Sequence, residues 1–530
     1  MRPQKSCLNL FVILYLFFFS LYITFLNFPF TPKPQTHPLY RLLAGKFDGR
    51  KIKIGLVNFG GDAHHHNNSN SVETVNIDFE HVSKDKKWED FFPEWIDEDS
   101  KWGPPRCPDI PLASRRRMGE YRGLDVVVAR VPCGGGGGEK RGIRDVFRLQ
   151  VNLVVANLVV ENGGVGSGRG DRTVYVVFVG SCGPMEEMFR CDDMVSHVGD
   201  YWLYKPDLKK LKQKILMPVG TCQIASPFAE TGDESWNKAH YHRKFAYATV
   251  LHSSEAYVCG AIALAQSIIQ TNSTKDLILL HDSSISPKSL RGLRSAGWKT
   301  TLIEPIRSPF ARKDSYNEWN YSKLRIWQLK QYDKLIFIDS DIVVLRNLDS
   351  FFHYPQLSAS GNDKVLFNSG IMVIEPSECK FNDLMSKITK LKSYNGGDQG
   401  FLNEVFTWWH RLPSKLNYLK VFRRGDDRNR EISENVYAIH LLGLKPWMCY
   451  KDYDCNWDMV DRHEFASDSA HMKWWKVFDK MPKRLQKYCG LTQHMDARIR
   501  KWRKIAKKAG LPDQHWKMNV KDPRQRNIID

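Results

Sequence analysis

The chain has 530 residues, enough for two or three domains at about 150 residues each. With 42% hydrophobic, 26% charged and 12% aromatic residues it has a globular composition, which excludes disorder, collagen and a multi-span membrane protein. Lys and Arg number 78 against 59 Asp and Glu, and the resulting net charge of +19 favours an anionic partner: nucleic acid, a lipid surface, a nucleotide or an acidic polysaccharide.

No charged residue occurs from Cys7 to Pro32, and LNLFVILYLFFFSLYITFL is almost wholly apolar. About 20 such residues cross a bilayer as a helix. A cleaved signal peptide would have a shorter apolar core ending in a small-residue site, so the run reads as an uncleaved anchor. Arg2 and Lys5 precede it, and Lys33, Arg41 and Lys46 follow, so local charge does not fix the orientation. Long domains translocate largely regardless of charge, and the bulk of the chain lies after the run. The expectation is a single-pass type II protein with a cytoplasmic tail (1–6), an anchor (7–28), a proline-containing stem (29–50) and a lumenal body.

Eleven cysteines are consistent with a secretory lumen. Cys182 with Cys191 and Cys449 with Cys455 are local candidates, although sequence does not determine pairing. Asn67, Asn272 and Asn320 open N-x-[ST] sequons, meaningful if the body is lumenal.

From Lys51 the pattern is mixed α/β. IKIGLV, LDVVVARV and TVYVVFVG read as buried strands, while VNLVVANLVV fits either helix or strand. The glycines at 134–138 and GGVGSGRG at 163–170 lack the context of a phosphate loop and read as loops. His64, His65 and His66 lie among Asn and Ser and read as solvated loop. Residues 51–235 are therefore expected to form an accessory α/β domain.

A second α/β region spans 245–465. YATVLHS, LILLHD and KLIFIDSDIVVL read as strands; GAIALAQSIIQ and LRIWQL read as helices. This alternation predicts a mostly parallel sheet, which binds ligands at its strand carboxyl ends. There Asp339-Ser340-Asp341 interrupts the apolar run Leu335–Leu345. Two buried carboxylates need compensation, and a hard divalent cation such as manganese or magnesium supplies it. Asn368-Ser369-Gly370, Asn395-Gly396-Gly397-Asp398-Gln399-Gly400 and the stretch from His440 through Gly443 and Lys445 to Trp447 follow in that order.

This set resembles glycosyltransferase family eight, the family of glycogenin, from about Tyr247 to Trp447. It is most similar to the plant glycogenin-like branch, the GUX proteins, in the anchor, in HSSEAYVCGA and in HLLGLKPWMCYKDYDCNW. The resemblance implies a GT-A type nucleotide-sugar-binding fold and retaining transfer of glucuronic acid from UDP-glucuronate to xylan in the Golgi. It implies Asp339, Asp341 and His440 as ligands of Mn2+, and Gly443 and Lys445 as a clamp on the diphosphate. Leu251, Ser253 and Tyr257 match the uridine segment, and Lys323 the catalytically important lysine. Ser340, Asn368, Ser369, Gly370, Asn395, Gly396, Gly397, Asp398 and Gln399 match the donor-sugar segments, with Asp398 and Gln399 at the reacting face.

Two departures stand out. Family members commonly place two residues between the glycine and lysine of the last motif, whereas only Leu444 intervenes here. Between Pro413 and His440 the self-glucosylated tyrosine segment of glycogenin is not recognisable, which favours a separate acceptor. Arg325 follows Lys323 by two positions, and its planar guanidinium suits a sugar carboxylate. Arg325 is therefore expected to read the C6 carboxylate of the donor, provided the segment is irregular, since positions two apart on a helix diverge by about 200°.

Rival readings are a glycogenin-like or starch-priming glucosyltransferase, a sphingolipid glucuronosyltransferase, and a non-catalytic polysaccharide-binding subunit. The intact acidic and basic set argues against a mere binder. No nucleic-acid module accompanies the charge. Oligomer formation stays open. The basic extension at 466–530, densest at RIRKWRKIAKK, reads as a solvated amphipathic helix, with contact to an acidic polysaccharide or a membrane surface as the alternative.

Overall fold

A computed structural model describes residues 38–47, 49–60, 71–92, 108–133, 144–164, 172–216, 220, 244–422 and 430–527. The expected tail and anchor, the glycines at 134–138, His64–His66 and Asn67 lie outside the described residues. Among the described residues, no helix is long and apolar enough to cross a membrane. The chain forms two compact units, Met1–Arg50 and Lys51–Asp530. The first contains a short helix, α1 (Pro38–Leu43), and the Arg50 guanidinium over the Phe47 ring.

The second unit opens with a six-stranded sheet of β1 (Ile52–Val57), β2 (Val72–Ile77), β3 (Val126–Arg130), β4 (Tyr175–Val179), β5 (Met194–Val198) and β6 (Tyr201–Tyr204). Its order is β2-β1-β3-β4-β6-β5, with the first four strands parallel and β6 and β5 antiparallel. Largely apolar runs form the buried central strands β1, β3 and β4, whereas β2 and β5 carry polar residues and are partly exposed. The ambiguous VNLVVANLVV lies within helix α2 (Val146–Gly163), capped by Asp145 and ended by Gly164 at φ 73°. Burial on nearly every side explains why no amphipathic period marks it.

The second sheet has the order β14-β12-β13-β10-β7-β8-β9. Its members are β7 (Phe245–Leu251), β8 (Asp276–His281), β9 (Lys299–Leu302), β10 (Lys334–Ile338), β12 (Ser358–Gly361), β13 (Phe367–Ile374) and β14 (His410–Leu412). The run β10-β7-β8-β9 is parallel, and β13 joins β10 antiparallel. KLIFIDSDIVVL is not one strand. Asp339-Ser340-Asp341 ends β10, and the chain turns into β11 (Ile342–Val344), which enters a small third sheet with β15 (Tyr418–Leu419) and β16 (Ala438–His440). LRIWQL is likewise not an α-helix but lies in a 3₁₀ run, Asn320–Gln328.

One buried apolar cluster passes from Val57, Phe91 and Phe178 to Phe337, Phe367 and Trp409, so the two large sheets share a core. Trp408 receives Trp88, Phe91 and Phe92 edge-on. Charge reinforces the seam: Glu186 contacts Lys380 at 2.7 Å and Lys387 at 3.0 Å. The stretch after 466 is also built in. Helix α3 (Asp468–Lys480) buries Trp474 and Trp475, while α4 (Gln493–Ala509) buries Ile499 and Ala506.

Disulfides join Cys133–Cys182, Cys191–Cys379, Cys259–Cys489 and Cys449–Cys455. The Cys449–Cys455 pairing is as expected. Cys182 and Cys191 do not pair: Cys182, after β4, meets Cys133, after the adjacent strand β3, while Cys191 faces helix α5 (Glu378–Lys387) of the other half. Neighbourhood across a sheet thus outweighs nearness in sequence. Of the sequons, Asn272 is exposed, whereas Asn320 lines a cavity and its Ser322 is fully buried.

Candidate active site

A cavity of 480 Å³ opens at the carboxyl ends of β7 and β10. Its wall includes Leu251, Ser253, Tyr257, Lys323, Asp339, Ser340, Asp341 and Asp398, as the sequence suggested. Leu251 is the last residue of β7. After it the chain turns sharply, with Ser253 at φ 63°, and the Ser253 N–H donates to Asp282 at the end of β8 (2.9 Å). That bond aims the 252–257 segment across the cavity.

Asp339, Asp341 and His440 each offer a ligand atom, and those atoms lie within 4.8 Å of one another. Pairing of β11 with β16 places Ile342 opposite His440, which brings Asp341 and a histidine far along the chain to one point. Gly370 admits the imidazole: a Cβ there would stand 2.7 Å from its ring. His440 Nδ1 is buried without a hydrogen-bond partner among the described residues. Two carboxylates and an imidazole so placed fit a divalent cation.

Lys445 donates to Asp341 at 2.7 Å and to the Leu441 carbonyl at 2.6 Å. Burial pushes the Asp341 carboxyl up, but Lys445 and His440 outweigh it and hold the group below the ordinary range. Asp339 lies on the other side of that balance. Burial raises it, Lys323 pulls it down, and the nearby Asp341 and Asp398 raise it again, leaving it above the usual carboxylate value.

Lys323 forms the second centre. Its Nζ lies 2.6 Å from Asp398, 3.1 Å from Asp339 and 3.3 Å from the Ser369 hydroxyl. Ser369 Oγ donates to Asp398 (2.8 Å), and the Ser369 N–H donates to Gln399 Oε1 (3.3 Å). Asn368 Oδ1 accepts from Gly370 N and Asn417 Nδ2, so its role is to shape this turn of β13. Asn395 Oδ1 accepts from the Gly397 and Gly400 N–H groups, which sets the start of helix α6 (Asp398–Val405). Gly396 adopts φ 71° where a Cβ would press on the Phe310 carbonyl.

The expected carboxylate reader is misplaced. Arg325 Nε donates to the Glu304 carbonyl and NH1 to Gln328, and the guanidinium lies over the Phe381 ring. It is not among the residues lining the cavity. In a 3₁₀ run of three residues per turn, positions two apart point to different sides, so Lys323 faces the cavity and Arg325 faces α5. Conversely, Asp314, Tyr316, Glu318 and Trp319 line the cavity without any motif marking them, and His252 lines it as the first residue of HSSEAYVCGA. Asp282 carried a usable signal, as the polar residue ending LILLHD beside β7.

Five acidic side chains and one lysine among the lining residues make the cavity unfit for a diphosphate unless a cation joins it. An acidic cavity at strand carboxyl ends with a trio fit for a divalent cation agrees with the nucleotide-sugar glycosyltransferase that the sequence motifs imply. Residues 36–222 match the model described as GUX1-5 N-terminal domain, and residues 248–360 and 350–450 match Glycosyl transferase family 8. An Arabidopsis thaliana relative named "Putative UDP-glucuronate:xylan alpha-glucuronosyltransferase 4" is 53% identical over 94% of this chain and 91% of its own. "UDP-glucuronate:xylan alpha-glucuronosyltransferase 2" of the same plant is 50% identical over 90% and 81%. Human "Glycogenin-1" is 28% identical over 43% and 70%. The chain belongs to the GUX branch of glycosyltransferase family 8.

Proposed function

We propose that this enzyme transfers glucuronic acid from UDP-glucuronate to the backbone of xylan with retention of configuration, using manganese at Asp339, Asp341 and His440. The observation that carries the reading is the convergence of His440, Lys445 and the Lys323–Asp398 pair on Asp339 and Asp341, which line the cavity. Donor and acceptor are supported by the names of the two Arabidopsis relatives. When bound, the cation neutralises the diphosphate and stabilises the departing UDP as a Lewis acid.

Within the chain, Ser253 and Tyr257 hold the uridine end of the donor. Lys445 exchanges part of its contact with Asp341 for a phosphate oxygen, adding positive charge where the leaving group gathers negative charge. The bond from the anomeric carbon to the phosphate oxygen breaks, and a xylan hydroxyl attacks the same face and passes its proton to the departing phosphate oxygen. Asp398 is tied to Lys323 and Ser369, bonds that weaken it as a nucleophile and leave its charge to steady the positive anomeric carbon. Lys323 holds both Asp398 and Asp339, so it couples the sugar side of the cavity to the metal side.

The uncharged Cys7–Pro32 run supports a type II anchor, and the four disulfides among the described residues support a lumenal body, which together suit the Golgi. The test is a panel of UDP-sugars with manganese and xylo-oligosaccharides. UDP-glucuronate should be the preferred donor and the new linkage α; preference for UDP-glucose would favour the glucan-priming reading instead.

A further inference from the structure

Two loops beside the cavity are tied together. Ser308 Oγ donates to the Gly396 carbonyl at 2.6 Å, and Asn317 Nδ2 donates to the Asn395 carbonyl at 2.8 Å. The second bond joins the residues directly after Tyr316 and Tyr394. These tyrosines are 72% and 53% exposed, among the largest exposed apolar side chains of the described residues. The segment carrying Tyr394 is nevertheless stiff. Ser393 is buried and donates to the Gly397 carbonyl (2.7 Å), and Asn395 Oδ1 accepts from Gly397 N (2.9 Å). At Gly400 a Cβ would stand 2.3 Å from Ser393 Oγ, so only glycine lets the loop lie this close to α6.

The Tyr394 hydroxyl accepts from Gln399 Nε2 at 2.8 Å, while the other end of that amide accepts from Ser369 N. An exposed ring on a rigid loop, with its polar tip on the residue beside Asp398, has no packing role that explains it. Tyrosine supplies contact area at small entropic cost, and a preorganised platform keeps that cost low.

We propose that Tyr394 is the platform of the acceptor subsite: a neutral pyranose of the acceptor chain stacks its C–H face on the ring, with Tyr316 across the mouth, while the hydroxyl fixes the Gln399 amide. This deepens the xylan reading and rests on it.

The experiment measures KM for both substrates with the manganese-loaded enzyme on xylo-oligosaccharides, with cello- and manno-oligosaccharides alongside. Tyr394→Ala should raise the acceptor KM at least tenfold while the UDP-glucuronate KM moves less than twofold. Tyr394→Phe should restore the acceptor KM yet lower kcat, because Gln399 loses its hydroxyl partner; a purely structural role would not split the two constants in this way. An acceptor KM within twofold of the unaltered enzyme in Tyr394→Ala, or a donor KM rising in step, overturns the proposal. If the unaltered enzyme ignores xylo-oligosaccharides but uses another neutral oligosaccharide, the xylan reading falls and Tyr394 is judged on that acceptor by the same split. Use of none of them, with UDP-glucuronate still hydrolysed, overturns both.

Discussion

Asn456 grips the peptide of Leu444 from both sides: its Oδ1 accepts from the Leu444 N–H at 2.8 Å and its Nδ2 donates to the Leu444 carbonyl at 3.0 Å. The same amide donates to Asp454 at 2.6 Å, and Asp454 forms a fully buried ion pair with Lys420 at 2.8 Å. Gly443, at φ 78°, is where a Cβ would stand 2.5 Å from Asn456 Oδ1. Leu444 is the lone spacer between Gly443 and Lys445, the proposed phosphate clamp. The grip fixes how Lys445 leaves the turn, and the shortened spacer still delivers its ammonium to Asp341.

Asn456→Ala should therefore act through Lys445. It leaves the Leu444 N–H without its buried partner, a loss of about 1–3 kcal/mol in stability. It should also raise the donor KM roughly tenfold through misplacement of Lys445, a loss on the order of 1.4 kcal/mol. Lys445→Ala alone should cost about 10²–10³ in kcat, the scale of one lost charge-stabilising donor. The double variant measured by steady-state kinetics should be no slower than Lys445→Ala; full additivity would separate Asn456 from the clamp.

Arg325 supplies the opposite kind of test. Its guanidinium is committed to Glu304, Gln328 and Phe381, away from the cavity. Arg325→Leu should leave the ratio of kcat/KM for UDP-glucuronate over UDP-glucose within twofold of the unaltered enzyme, with a modest fall in Tm. A selective loss on UDP-glucuronate would return the carboxylate-reading role to this residue.

The bond Cys191–Cys379 closes 188 residues and links the N-terminal sheet to helix α5. Replacing both cysteines by serine should lower stability by about 2–4 kcal/mol, read by denaturant titration. Because Trp408 is packed by Trp88, Phe91 and Phe92, residues 244–527 produced alone should aggregate. A soluble, cooperatively folding fragment would contradict the shared core.

Sequence patterns revealed what polarity makes conspicuous. Asp339 and Asp341 stand out because carboxylates interrupt an apolar strand, and the central strands β1, β3, β4, β7, β8 and β10 stand out because buried parallel strands are largely apolar, whereas β2, β5, β9, β12 and β14 carry polar residues and show no such run. What depends on chain path did not. The pairing Cys133–Cys182 follows from the adjacency of β3 and β4, which spacing does not encode. The side on which Arg325 emerges follows from a nine-residue 3₁₀ run, unusually long for that helix. The loops of Tyr316 and Tyr394 are joined through bonds between distant residues, Ser308 to Gly396 and Asn317 to Asn395, so neither tyrosine carried a signal in its own segment.

The most direct measurement is glucuronosyl transfer to xylohexaose by the unaltered enzyme and by Asp341→Ala, each with manganese and with EDTA. The unaltered enzyme should transfer glucuronic acid from UDP-glucuronate only with the cation present. Asp341→Ala should stay folded by circular dichroism and be inactive under both conditions. Near-normal transfer by Asp341→Ala, indifferent to EDTA, would contradict the account.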